Sequence, residues 1–404
     1  MKKSMLLCTV LALATACIYP YHPDLEEAPQ GVLVVDGSLV LGEPSTVQIG
    51  LMSSLWTDKN DSAPSPGGYL YSTGLPDMAI RVWAEDSAGD IYEGKVAESG
   101  WGHQMVPYLL PTENAPADRE YRVCVQMDGA QYSSDWIKPL TPPIIKKINF
   151  RANLNDVQVQ VTVDGGPDAT GYLLLSFDET WRFHTEYFLN YDYDLRTNTV
   201  SEYRLTPWDR YWCFRTLDQG LQVPVDYSAL STSGVNNYLL HSFSRYDDRN
   251  HRRYSIRVKA RTIDKRTYDY LRHLEESTDA GDDLFTPNPG EVQGNIRCET
   301  DPNRMVLGYV TVSTSSTRRA YLGSQYLLTK ARNPYDLRYP LQNGNLIGEN
   351  SWRDYYNKGY MPLIPNTLPN SDPEEEGPYG WGEARCYDCF AAGGTQDVPD
   401  FWEE

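Results

Sequence analysis

Apolar residues recur at every second position in one run after another of this chain. Val47, Ile49 and Leu51 share a face, as do Met78, Ile80 and Val82. So do Tyr121, Val123, Val125 and Met127, and then Val157, Val159, Val161 and Val163. A period of two sends alternate side chains to opposite faces of a strand, whereas a helix needs a period of 3.6. Val32-Leu33-Val34-Val35, ended by Asp36-Gly37, and Ile91-Tyr92 add two short strands. Such strands, with no helical run between them, predict an antiparallel sandwich of immunoglobulin or fibronectin type over residues 31–141.

Leu140-Thr141-Pro142-Pro143 reads as the hinge into a second, larger β-rich domain, 142–404. Strands are expected at Tyr172–Phe177, Tyr254–Val258 and Val306–Val312. One segment breaks the pattern: Asp264 can cap a helix near 264–277, with Tyr268, Leu271 and Leu274 on one face. Thr57–Gly74 is a long polar loop. Beyond Gly323 the chain is rich in Pro, Asn and Tyr and reads as irregular, with a solvated acidic loop at Asp372-Pro373-Glu374-Glu375-Glu376. The fold class is therefore mainly β, with one short helix.

The first seventeen residues give an address. Lys2 and Lys3 precede an apolar run from Met5 to Ala14, and Ala14-Thr15-Ala16 sets small residues before Cys17. This is a secretory signal over 1–16, too short and wrongly flanked for a membrane span. A cysteine at the cut fits a bacterial lipoprotein, in which Cys17 becomes the acylated first residue, carrying palmitate or a similar chain. Ordinary cleavage after Ala16 is the alternative. Residues 17–30 hold Pro20, Pro23 and Pro29 with Asp24, Glu26 and Glu27, and read as a stiff, solvated tether. The net charge is −19, and loss of Lys2 and Lys3 takes it to −21. A polyanion is repelled by phosphate backbones, which excludes nucleic acid as a partner, and by anionic membrane surfaces. Attachment to a bilayer would come from lipid alone.

Few residues suggest chemistry. There is no Gly-x-Ser-x-Gly elbow, phosphate loop or His-Glu-x-x-His. His22, His103, His184, His241, His251 and His273 do not gather near acids or a nucleophile in sequence. Cys386-x-x-Cys389 lacks the second ligand pair of a zinc site and the βαβ setting of a redox motif. Asp192-Tyr193-Asp194 lacks the glycine-spaced ligand series of a calcium loop. No cofactor or metal is expected. The aromatic run holding Trp181, Phe183, Tyr187, Phe188, Tyr191 and Tyr193 could stack on sugars, form a protein interface or simply fill a core. Trp352, Tyr355, Tyr356 and Tyr360, with Tyr335 and Tyr339, lie in less regular sequence and suit a contact surface better.

Several stretches, in order, resemble a known family. They are Val32–Gly37 after the tether, Cys213 within Tyr-Trp-Cys-Phe, Arg253-Tyr254-Ser255-Ile256 and the helix around Tyr268. Pro289–Ile296, Val306-Leu307-Gly308-Tyr309, Cys386-Tyr387-Asp388-Cys389, Gly393-Gly394-Thr395 and Pro399-Asp400-Phe401-Trp402 continue the series. Together they resemble the outer-membrane lipoproteins of domain-of-unknown-function family number 4249, common in Bacteroidota. The resemblance implies a lipid-anchored outer-membrane protein, often encoded beside TonB-dependent receptors, and no catalytic residues. Surface lipoproteins of that phylum usually carry acids close behind the lipidated cysteine. Here the first acid is Asp24, so both the cell-surface and the periplasmic face stay open. Glycine at 294 and 308 is expected to permit close backbone approach beside strands, and Phe401-Trp402 to tie down the last residues. The cysteines are expected to staple an irregular tail: Cys213 and Cys298 would each bond one of Cys386 and Cys389, leaving Cys124 free. The expected function is a non-catalytic accessory or binding protein, partnering an outer-membrane barrel such as a TonB-dependent receptor or an assembly complex. The alternatives are a glycan- or peptide-capturing surface module and a surface hydrolase using a carboxylate pair.

Overall fold

Val157, Val159, Val161 and Val163 are all buried, while the residues between them are partly exposed. Burial of one such side chain stabilises by about 1.5–3 kcal/mol. A one-residue slip would expose all four, so the register of this strand is strongly specified. The same logic sets the rest of the fold. The computed structural model describes residues 32–52, 79–97, 105–203, 208–218, 220–279, 294–324, 345–346, 348–365 and 379–403. Cys17, the leader, the tether, the loop at 57–74, Tyr335, Tyr339 and the acidic loop at 372–376 lie outside the described residues.

The first unit comprises β1 (Val32–Leu41), β2 (Ser45–Met52), β3 (Ile80–Asp86), β4 (Ile91–Glu93), β5 (Lys95–Val96), β6 (Val106–Leu110), β7 (Tyr121–Met127) and β8 (Ala130–Ser134). They form two facing sheets around a core that includes Leu33, Val47, Ile49, Val82, Tyr121 and Tyr132. The first strand does not stop at Asp36-Gly37. It runs on to Leu41, because the Gly37 N–H bonds the Tyr309 carbonyl at 3.0 Å and its backbone pairs with both Val47 and Val310.

The second unit follows with β9 (Ile144–Ala152), β10 (Asp156–Asp164), β11 (Tyr172–His184), β12 (Tyr191–Asp194), β13 (Thr199–Glu202), β14 (Trp212–Asp218), β15 (Val223–Asp226), β16 (Gly234–Ser244) and β17 (Arg253–Thr262). A three-stranded sheet, β16-β10-β9, packs on a sheet ordered β14-β11-β17 over a core that includes the four valines, Phe177, Trp181 and Tyr254. Helix α1 (Lys265–Asp279) begins where expected. The Asp264 carboxylate accepts from the Thr267 N–H at 2.8 Å, as an N-cap does. Tyr268 and Leu271 pack on Tyr172, Leu174 and Ile263, but Leu274 stays exposed.

The chain then returns. β18 (Ile296–Cys298) pairs antiparallel with β8, while β19 (Val306–Leu307) and β20 (Val310–Thr314) pair parallel with β1. A boundary at 141 therefore does not separate two self-contained domains, since residues 296–314 complete the first sandwich. Nor is that sandwich wholly antiparallel. Parallel pairing requires a long crossover, and the whole second unit supplies one. β21 (Ser316–Tyr321) goes back to β17.

Some of the tail is regular. β22 (Asn345–Leu346), α2 (Trp352–Asn357), β23 (Tyr360–Pro365) and β24 (Tyr379–Glu383) form a three-stranded sheet and a short second helix. They pack on the segment around β12 through two clusters, one of Tyr187, Leu189, Met361, Leu363 and Tyr387, the other of Tyr193, Trp352 and Trp381.

Candidate functional site

The aromatic candidates divide by burial. Trp181, Tyr187 and Trp352 are 2–4% exposed and serve as core. They offer no ring face to a ligand, which corrects their assignment as binding residues. Phe183, Phe188 and Tyr193 are buried too. The cause is visible in the topology: β11 extends to His184, so Trp181 and Phe183 continue its core face. Tyr191 and Tyr355 are half-buried, and Tyr356 is exposed on α2.

The cysteines correct one pairing and bear out another. Cys213 on β14 is bonded to Cys389. Cys124, Cys298 and Cys386 are free thiols. Cys298 belongs to the core of the first sandwich, where β18 joins β8, and its sulfur contacts the Thr300 hydroxyl at 3.4 Å. Cys386 sits instead in the tail cluster beside Tyr187. Burial raises the thiol pKa of Cys386, and that of Cys124 to about 12. Thiols held this way are poor nucleophiles at neutral pH.

The histidines do gather with other polar groups, contrary to their spacing in sequence. The ring of His184 stacks on that of His251 at 4.4 Å. Burial, and then the neighbouring His184, lower the His251 pKa to about 4. His241 Nε2 lies 3.3 Å from a carboxylate oxygen of Glu179, a residue with no exposed surface. Glu179 also accepts from the Tyr254 hydroxyl at 2.6 Å and from Arg249 Nη2 at 3.3 Å. Arg249 in turn pairs with Asp247, and Arg215 pairs with Asp248. Burial, reinforced by Asp247, pushes Asp248 up to about 6. This knot ties the turn at Asp248–Asn250 to the sheet below it.

A different arrangement lies on the seam between the sandwiches. Along β17, Tyr254, Ile256, Val258 and Ala260 enter the second core. The opposite face carries Arg257, Lys259 and Arg261. Lys259 donates to both oxygens of Glu43, in the turn between β1 and β2, at 2.6 and 2.8 Å. Two residues on, Arg261 Nη1 donates to the Ser38 hydroxyl on β1. Thr262 donates to the Thr141 carbonyl and Thr314 to that of Leu140.

Arg261, Thr262 and Leu140 of this seam also line a pocket of about 430 Å³. Trp136, Ile137, Leu140, Leu174, Ile263 and Val312 give it apolar walls, and Arg261, Ser313, Thr311 and Tyr309 give it polar ones. Arg261 is only 5% exposed, and burial pulls its pKa down to about 10 against the pull of Glu43. Among the described residues its Nε has no hydrogen-bond partner, and neither does the buried Ser313 hydroxyl. The two carboxylates in the pocket's lining are already engaged. Asp135 pairs with Arg266 and Arg297, and Asp264 caps α1. Neither Arg261 nor Ser313 stood out in the sequence. A basic residue at every second position of a strand reads as a solvated face, and only the first sandwich, docked there through β1, buries it.

A family model described as a domain of unknown function (DUF4249) matches residues 18–319. The match spans both sandwiches and stops within β21, ahead of the tail and of Cys389. Among curated proteins, none matches the chain.

Proposed function

The chain belongs to the DUF4249 family, and from that premise we propose that it is a non-catalytic binding protein of the outer membrane. Lipid on Cys17 holds it there. Its partner is an outer-membrane barrel, either a TonB-dependent receptor or an assembly complex. The leader, the cysteine at the cut and the proline-rich tether support the anchor. The barrel partner rests on what the family resemblance implies. The observation that carries the binding role is the seam pocket, whose size falls in the range of about 300–1,000 Å³ common for small-molecule sites. Its lining includes a buried guanidinium, and its two carboxylates are already held by other groups. That arrangement favours capture over hydrolysis by a carboxylate pair.

Purification from native membranes in mild detergent tests this. The expected result is co-purification with a barrel protein in fixed stoichiometry. Recovery of the chain alone from the membrane fraction would remove the barrel partner. Turnover of a glycan or peptide, abolished by a single carboxylate substitution, would replace the reading with a hydrolase.

The second reading, a module that captures a ligand on its own, is favoured by the same pocket, because its polar groups converge on a space that no other part of the described chain fills.

A further inference from the structure

We propose that the seam pocket binds a small molecule through a carboxylate, with Arg261 as the anion's main partner and Ser313 as a second donor. This deepens the capture reading above and rests on it.

A buried guanidinium normally faces a carboxylate, because its desolvation is otherwise uncompensated. Glu43 is the acid whose charge acts on Arg261, and Lys259 occupies both of its oxygens. Among the described residues, the Arg261 side chain keeps one hydrogen bond, to a neutral hydroxyl. A guanidinium presents five N–H donors in a planar fork suited to a carboxylate. Its Nε and the Ser313 hydroxyl, both buried, have no partner among the described residues, and the residues Arg261 and Ser313 line one cavity. Buried polar atoms are nearly always paired, so two orphans in one pocket point to an absent third party.

The charge around the pocket has the same sense. Lys138, Arg261 and Arg266 line it against Asp135 and Asp264, a local positive excess in a chain of net charge −19. That excess suits a single negative charge. A phosphate dianion would overshoot it and meet the two carboxylates of the lining. The apolar walls, Trp136 and Leu174 among them, suit a carboxylate joined to an apolar or aromatic body.

The test is titration calorimetry on the full mature chain, in detergent where it is acylated. The probes are N-acetyl-phenylalanine, its C-terminal amide and inorganic phosphate. The free acid is expected to bind about tenfold or more tightly than the amide, the loss typical of a charge-assisted hydrogen bond. Arg261→Met should erase that preference, Arg261→Lys should restore part of it, and Ser313→Ala should weaken binding without harming the fold. Should Arg261→Met fail to unfold cooperatively, the acid–amide comparison and Ser313→Ala decide alone. Equal binding of acid and amide, no binding of the acid at millimolar concentration, or tighter binding of phosphate would each overturn the proposal. Co-purification of a barrel with Arg261→Met would show that the membrane role stands apart from the pocket.

Discussion

The Arg261 guanidinium on β17 reaches across the seam to the Ser38 hydroxyl on β1, and no carboxylate lies within ion-pair distance of it among the described residues. A charge buried without an opposite charge contributes little net stability, since desolvation offsets what the hydrogen bond gains. Arg261→Met should therefore change the free energy of unfolding by no more than about 1.5 kcal/mol. Urea denaturation followed by circular dichroism measures this. A loss several times larger would make Arg261 a structural pin between the sandwiches.

Glu179 is the contrasting case. It is as deeply buried, but Tyr254, Arg249 and His241 converge on it. Glu179→Ala removes one of the two carboxylates paired with Arg249, whose side chain is 13% exposed, and takes its acceptor from the buried Tyr254 hydroxyl. The expected cost is about 3–5 kcal/mol, read from the same urea curves. Tyr254→Phe removes one hydrogen bond and leaves the charges paired, so it should cost about 1–2 kcal/mol.

Gly308 joins β19 to β20 with φ at +108°, and a Cβ there would stand 1.9 Å from the Val35 carbonyl oxygen. Gly308→Ala cannot be accommodated without moving β1, and should cost more than about 3 kcal/mol or prevent folding. Gly348→Ala, where a Cβ meets nothing within 4 Å among the described residues and φ is −62°, is the matched control. It should shift stability by less than about 0.5 kcal/mol. Thermal unfolding of the two variants side by side gives the comparison.

Gly308 also shows what was legible in the sequence. It and Gly294 read as sites of close backbone approach, and a Cβ on Gly294 would indeed stand 2.1 Å from the Gly308 carbonyl oxygen. The strands of strict period, Ser45–Met52, Tyr121–Met127 and Asp156–Asp164, were legible because alternation is local. Pairing between distant strands is not. Nothing near Val310 announces that it will lie beside Gly37. Cys298 was misassigned for the same reason: its strand returns to the first sandwich, away from the tail. The small sheet at 345–383 escaped notice because Tyr379-Gly380-Trp381-Gly382 alternates aromatics with glycines and so shows no ordinary strand texture. Arg261 did not stand out because its burial depends on a sandwich earlier in the chain, where its partner Ser38 lies 223 residues away.

The Cys213–Cys389 bond closes a separation of 176 residues. Replacing both residues with serine should lower stability by about 2–5 kcal/mol. Peptide mapping without reduction should recover this one crosslink. Cys124 and Cys298 should react with iodoacetamide only after unfolding, since both are buried. A Cys386–Cys389 crosslink would contradict the pairing.

His251 ties stability to pH. Its folded pKa, about 4, lies below the ordinary value near 6.5. The unfolded chain therefore takes up a proton first, and the contribution of His251 is complete above about pH 6.5 and is lost as pH falls toward 4. His184, lowered by burial, acts in the same sense. Asp248, raised to about 6, opposes both and favours the fold as pH falls through that value. Comparing the chain with His251→Asn isolates one group. The variant should lose less stability between pH 7 and pH 5 than the parent does.

The proposal that Cys17 anchors the molecule to a membrane is tested most directly by intact mass spectrometry of the native protein's N-terminus, run alongside membrane fractionation. The expected result is a membrane-bound chain that begins at Cys17 and carries the added mass of a thioether-linked diacylglycerol. An unmodified N-terminus recovered in the soluble fraction would contradict it.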